Sequence, residues 1–179
     1  LVKRLFEKEV PEIYNGIVEI KAIARDAGDR TKMAVLSHNP DIDPIGACIG
    51  PRGNRVQNII DELNGEKIDI FEYSNDVSVL VKNALAPAVV TAVLPGRDDN
   101  SLLVIVDAAQ LSLAIGKRGK NARLAVKLTN HKIDIKTREE IEEAGMDYEA
   151  LLAQAEVLKQ KAAEKTEKEN EMKRAEAIK

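Results

Sequence analysis

Two short stretches hold residues whose types and spacing could do chemistry: Ile49-Gly50-Pro51-Arg52-Gly53-Asn54-Arg55 and Ile115-Gly116-Lys117-Arg118-Gly119-Lys120-Asn121. Each sets an Ile before Gly-x-x-Gly, carries a basic residue in the gap and runs on into a helical pattern. Glycine lacks a Cβ, adopts backbone angles closed to other residues and lets a ligand come close to the main chain. The start of the following helix leaves N–H groups unpaired and carries positive partial charge, which suits an anion. Arg52, Arg55, Lys117, Arg118, Lys120 and Arg123 supply charge, so the anion expected is phosphate. Ala47, Ile49 and Ile115 would add apolar contact beside the cradle, and Asn54 and Asn121 are expected to line the same binding stretches. A lone Gly-x-x-Gly is also what a tight helix–helix turn needs for packing. Its repetition with basic gap residues favours a ligand-facing role.

Other chemistries find little support. A nucleotide-binding P-loop needs G-x-x-x-x-G-K-[ST], and Lys120 is followed by Asn121 in the wrong frame. Cys48 lies on an apolar face two residues before a loop and reads as a small buried hydrophobe. His38 and His131 fall in connections without spaced partners, and turn and cap roles account for Asp41 and Asp43. No triad or paired-carboxylate arrangement stands out, so neither an enzyme nor a cofactor is expected. With aromatics at 3% and no Trp, readers that stack several bases on aromatic platforms are disfavoured. The net charge of −3 gives no global attraction to nucleic acid. Clustering does: from Ile115 to Lys127 the chain holds Lys117, Arg118, Lys120, Arg123 and Lys127 and no acid. One cysteine excludes an internal disulfide. No apolar run reaches membrane-spanning length and the start is not a signal peptide, so a reducing cytoplasmic setting is expected, without membrane contact. The lack of an initiating Met suggests a piece of a longer chain.

The elements that must position the two loops repeat. Phe6, Val10, Ile13 and Tyr14 recur at helical spacing, stopped by Gly16. Strands are expected at 17–24 and 31–36, then a short helix capped by Asp43 with Pro44 at its first position. After the first glycine loop, Val56, Ile59, Ile60 and Leu63 mark an amphipathic helix, and 67–71 is a strand. The grammar then restarts. Asp76 caps a helix with Val77, Leu80, Val81, Ala84 and Leu85 inward, followed by strands at 89–94 and 102–106. A short helix over 107–115, the second glycine loop, a helix ending near Asn130 and a strand at 132–135 complete it. Lys132-Ile133-Asp134-Ile135 repeats Lys67-Ile68-Asp69-Ile70, so the chain carries an internal duplication. From 138 the composition becomes helical and charged, with few tertiary contacts expected beyond Lys159.

The order helix–strand–strand–helix–loop–helix–strand resembles the KH domain in its type II arrangement, a module that clamps about four nucleotides of single-stranded nucleic acid. The expected class is therefore α+β, with two tandem type II KH domains and a charged C-terminal extension. Asn39-Pro40-Asp41-Ile42-Asp43-Pro44-Ile45-Gly46-Ala47-Cys48-Ile49-Gly50-Pro51-Arg52-Gly53, Ala114 to Ala125 and Glu9 to Gly16 are similar to the tandem KH region of the NusA family of bacterial transcription factors. That resemblance implies a linker from a preceding S1 domain over 1–8, KH domains at 9–73 and 74–137, and an extension at 138–179. It implies single-stranded RNA as partner, with roles in transcription pausing, termination and antitermination, and RNA polymerase and other transcription factors as partners of the full-length protein. A monomer is expected. The rival is a protein–protein docking scaffold whose KH units have lost nucleic acid. The copies differ: Pro51 stands where the second has Lys117, and Asp61 and Glu62 where it has Lys127 and Leu128. The second loop is therefore expected to attract phosphate more strongly. Leu124 and Leu128, against Asn58 and Glu62, give an extra apolar face, either wrapped by the copy's own core or packed on the other copy or on the 139–158 helix.

Overall fold

The computed structural model describes residues 1–178 and divides them into two units of the same order. In the first, α1 (Val2–Glu9) and α2 (Pro11–Tyr14) precede β1 (Val18–Asp26) and β2 (Arg30–Ser37). Helices α3 (Pro44–Ile49) and α4 (Asn54–Glu62) flank the first glycine loop, and β3 (Lys67–Glu72) closes the unit. In the second, α5 (Val77–Ala84) leads to β4 (Ala92–Pro95) and β5 (Ser101–Ile105). Helices α6 (Leu111–Ile115) and α7 (Lys120–Thr129) flank the second loop, and β6 (Lys132–Lys136) follows. Each sheet has three strands in the order β1-β2-β3 or β4-β5-β6, the first pair antiparallel and the second parallel. The parallel pairs exist because a helix–loop–helix crossover joins their strands. The Asp43 and Asp76 side chains accept from the amides of Ile45 and Ser78, capping α3 and α5 as expected.

Some expected boundaries move. Residues 1–8, assigned to a linker, instead form most of α1. Its Val2 and Phe6 are buried with Val10, Val18, Met33, Val35, Cys48 and Ile59 in the first unit's own core. Tyr14, which recurs at helical spacing with Phe6, Val10 and Ile13, is 80% exposed, because α2 is a separate turn after Val10 breaks the helix. Val89 and Val90 precede the strand, which starts at Ala92. Cys48 is fully buried, and burial pushes its thiol up to about 12.

The other face of the first sheet receives the second unit. One cluster joins Ala34 and Phe71 of the first unit to Leu80, Val81, Leu102, Val104, Ala114 and Ala125 of the second, with Leu128 packed against it. Helix α7 lies along β1 and β2. The additional apolar face of α7 therefore packs on the other copy, not on the C-terminal helices. Those helices, α8 (Arg138–Glu143) and the start of α9 (Tyr148–Ile178), cover the outer face of the second sheet. There Leu94 and Ile105 pack with Ile141, Tyr148, Leu151 and Leu152. Thr137 and Glu140 form a reciprocal capping box at the start of α8. Beyond Leu158, α9 is almost wholly exposed, and among the described residues no helix is long and apolar enough to cross a membrane.

Candidate nucleic-acid interface

The two glycine loops share one backbone path. Gly50 and Gly116 have φ/ψ of 79/172° and 78/171°. Arg52 and Arg118 stand at 55/24° and 56/25°, and Gly53 and Gly119 at 74/15° and 73/12°. Arg52 and Arg118 are thus non-glycine residues held left-handed, a conformation that costs of order 1–3 kcal/mol. The first and second glycines differ in their surroundings. A Cβ on Gly50 would meet Arg55 Cγ at 2.5 Å, and one on Gly116 would meet the Asn121 amide nitrogen at 2.8 Å. Around Gly53 nothing stands within 4 Å of such an atom. The first glycine lets the loop fold back on its helix; the second leaves the outer side of the backbone open. Pro51, Arg52, Lys117 and Arg118 are exposed, so neither bend is sealed beneath the fold.

The expected site residues then separate. Arg52, Lys117, Arg118 and exposed Arg123 crown the loops, and Arg123 Nη2 donates to the Arg118 carbonyl at 2.8 Å, bracing the strained residue. Ile115 is 40% exposed beside the second loop; Ala47 and Ile49 are half-buried beside the first, and Asn54 is exposed at the start of α4. Asn121 is not at the surface. It is fully buried, and its Nδ2 donates to the carbonyls of Leu85, Leu113 and Ala114 at 3.0, 3.2 and 3.0 Å. Arg55, its counterpart, donates from Nη1 to the Ala47 carbonyl and to Glu12 Oε2, both at 2.8 Å. Ala47 and Leu113 occupy equivalent places, so both side chains staple the C-terminal carbonyls of the helix before the loop. Lys120 is also engaged: its Nζ lies 3.3 Å from Asp26 Oδ2, at the end of β1, and pairs with Asp29 on the turn that leads to β2. The hydrogen bond between them holds the Asp29 carboxyl below its ordinary range and the Lys120 ammonium above its own.

Further residues complete the surface. Leu113, 47% exposed, supplies at the second loop the apolar side chain that Ala47 only hints at in the first. The helices flanking each loop pack on the edge strand of its sheet, β3 or β6, where Ile68, Ile70, Ile133 and Ile135 are half-buried. An edge strand offers unpaired main-chain donors and acceptors as well as apolar side chains. Beside α3 and β3 a cleft of about 410 Å³ opens at the junction of the units, lined by Ile45, Ile70, Glu72, Lys82, Asn83 and Val89 among others. Edge strands and this junction cleft were beyond a reading centred on the glycine motifs. The half-buried isoleucines alternating along both copies of Lys-Ile-Asp-Ile were the available signal.

Comparison with known proteins agrees with this architecture. A family model described as the NusA-like first KH domain matches residues 1–73, and one described as the NusA-like second KH domain matches 77–143. Proteins named transcription termination/antitermination protein NusA are similar at the sequence level. The one from Halalkalibacterium halodurans is 54% identical over 168 residues, covering 93% of this chain and 44% of that protein. That of Bacillus subtilis is 56% identical over 146 residues, covering 82% and 39%. That of Thermus thermophilus is 48% identical over 171 residues, covering 94% and 43%. The chain thus spans less than half the length of these curated relatives. The crystal structure of APE1850 shares the fold, with a TM-score of 0.54 and 24% identity over 75% of this chain and 95% of that one. With both of the family's domain models matched in tandem, the chain belongs to the NusA-like KH domain family.

Proposed function

We propose that the chain binds single-stranded RNA through its two glycine loops, as the RNA-gripping part of a factor that regulates transcription pausing, termination and antitermination. The supporting observation is the loop backbone itself. Two copies with different gap residues keep the same strained path, within a few degrees at each glycine and at Arg52 and Arg118. Packing alone accounts for Gly50 and Gly116. It does not account for an arginine held left-handed at an exposed tip, where a less strained residue would serve a simple turn.

In this reading the sugar–phosphate strand lies against Gly50–Gly53 and Gly116–Gly119. Arg52, Lys117, Arg118 and Arg123 supply the charge, and Ile49, Ile115 and Leu113 meet bases. The β3 and β6 edges offer main-chain polar groups to a few base edges. The second loop, with Lys117 where the first has Pro51, attracts phosphate more strongly. No step of bond making is involved; the chain acts by binding. RNA polymerase and other transcription factors would be partners of the longer protein, acting in the cytoplasm, and the isolated chain would act as a monomer. A docking scaffold that has lost nucleic acid would have no use for exposed basic residues in both strained gaps. Titration of short labelled single-stranded RNA at two salt concentrations tests the reading. Binding should weaken as salt rises, with a slope of about −0.7 per phosphate contacted; absence of binding in dilute salt would overturn it.

A further inference from the structure

Lys120 opens α7, immediately after the second glycine loop, yet its ammonium turns toward the first unit. There it meets Asp26 Oδ2 at 3.3 Å and Asp29. The turn bearing these carboxylates is itself anchored from behind. Glu66, whose side chain is fully buried, accepts from Gly28 N at 2.8 Å and from Thr31 Oγ1 at 2.6 Å, and it pairs with Arg25 Nη2 at 3.0 Å. Glu66 lies between α4 and β3, just past the helix that begins at the first glycine loop. The backbone of α4 thus leads from the first loop to Glu66, and charge-assisted bonds run on from Glu66 to the turn and from the turn's carboxylates to Lys120 beside the second loop. Charged bonds of this kind are shorter and stronger than neutral ones.

We propose that Asp26 and Asp29, gripping Lys120 and backed by Glu66, form a strut that fixes the spacing and angle of the two glycine loops, and that Lys120 serves this strut rather than the RNA phosphate. The proposal rests on the reading that both loops hold one RNA strand. Two carboxylates already hold this ammonium, which leaves it little attraction to offer a phosphate. Lys117 and Arg118, exposed one turn earlier, stay free for it. The equivalent residue at the first loop is Asn54, which is exposed and uncharged, so only the loop that must be aligned to the other unit carries a lysine there. The benefit is bivalency: two sites held at a fixed separation make the second contact intramolecular and reduce the entropy lost by the strand.

The test compares two unstructured RNAs, one of about four nucleotides that fills a single KH unit and one of about twelve that reaches both. Wild-type protein, the D26N/D29N variant, K120Q and the triple variant are titrated with each. The strut predicts that D26N/D29N and K120Q each lose about tenfold in affinity for the longer RNA and less than twofold for the shorter. The salt slope should be unchanged, and the triple variant should be no worse than either. If K120Q weakened the short RNA as well and reduced the salt slope by about 0.7, Lys120 would be a phosphate contact and the proposal would fail. Tighter binding by D26N/D29N, or no change with either RNA, would overturn it equally. Should the wild-type chain bind neither RNA, the RNA reading itself falls. The strut is then judged by residual dipolar couplings of the free protein, where an unaltered orientation of the two units in D26N/D29N would overturn it.

Discussion

A methyl group on Gly50 would press on Arg55, and one on Gly116 on the Asn121 backbone, whereas one on Gly53 meets open space. Gly50→Ala and Gly116→Ala combine that clash with a positive φ and should each lower stability by about 2 kcal/mol or more. Gly53→Ala, strained only by its φ, should cost about 1 kcal/mol. Urea denaturation of the three variants checks the order. Charge at the loop tips has a different readout. Lys117→Asp with Arg118→Asp should weaken RNA binding at least tenfold and flatten the salt dependence by about 1.4 in slope, two contacts' worth. The same change at Pro51 and Arg52 should do less, and a larger effect there would reverse the ranking of the loops. The types of these residues were legible in the sequence; the directions of some were not. Lys120 and Asn121 read as ligand-facing residues of the loop because a motif gives identity without facing. Yet Asn121, Leu124, Ala125 and Leu128 stand at i, i+3, i+4 and i+7, which places the asparagine on the buried stripe of α7. Arg55 precedes buried Ile59 by one turn in the same way.

Among the elements, β2 carries the unusual feature. Lys32 is fully buried between the units, with Nζ 3.1 Å from Asp69 Oδ2 and 3.0 Å from the Ala86 carbonyl. Burial, partly offset by Asp69, lowers its ammonium to about 8 from an ordinary 10.5. Below pH 8 both folded and unfolded chains hold the proton, and the cost of burying the charge is felt in full. Between about pH 8 and 10.5 the unfolded chain binds more protons, so stability rises with pH across that window. The urea midpoint of the wild-type chain should therefore climb from pH 8 to 10 relative to Lys32→Met, which lacks this titration. The C-terminal helices supply a second test. Truncation after Lys136 would uncover Leu94, Leu103 and Ile105, and should lower Tm by several degrees and promote self-association, seen by light scattering. Truncation after Leu158 should change neither. Strand and helix order was legible here because hydrophobic period changes at each element. What covers each sheet was not, since a buried lysine in a strand looks like any exposed one.

At the scale of the molecule, the shared cluster around Ala34, Phe71, Leu80 and Leu102 makes the two units one body. Nitrogen-15 relaxation should return a single correlation time for both, and thermal unfolding should be one transition; separate tumbling would contradict the docking. The duplication announced two units, but their mutual placement depends on side-chain size across the sheets, which the repeat itself conceals. Ala22, Ala24, Lys32 and Ala34 of the first sheet correspond in register to Ala92, Leu94, Leu103 and Ile105 of the second. The three alanines, with Lys32 reaching across to the Ala86 carbonyl, make a seat into which another unit can settle; bulky side chains already covered by Ile141 and Leu151 do not. The pair thus has polarity, like a plug and socket whose far end is stoppered. A third copy spliced in behind β6 would find no vacancy, so lengthening this array would require exchanging that greasy stopper for alanines first.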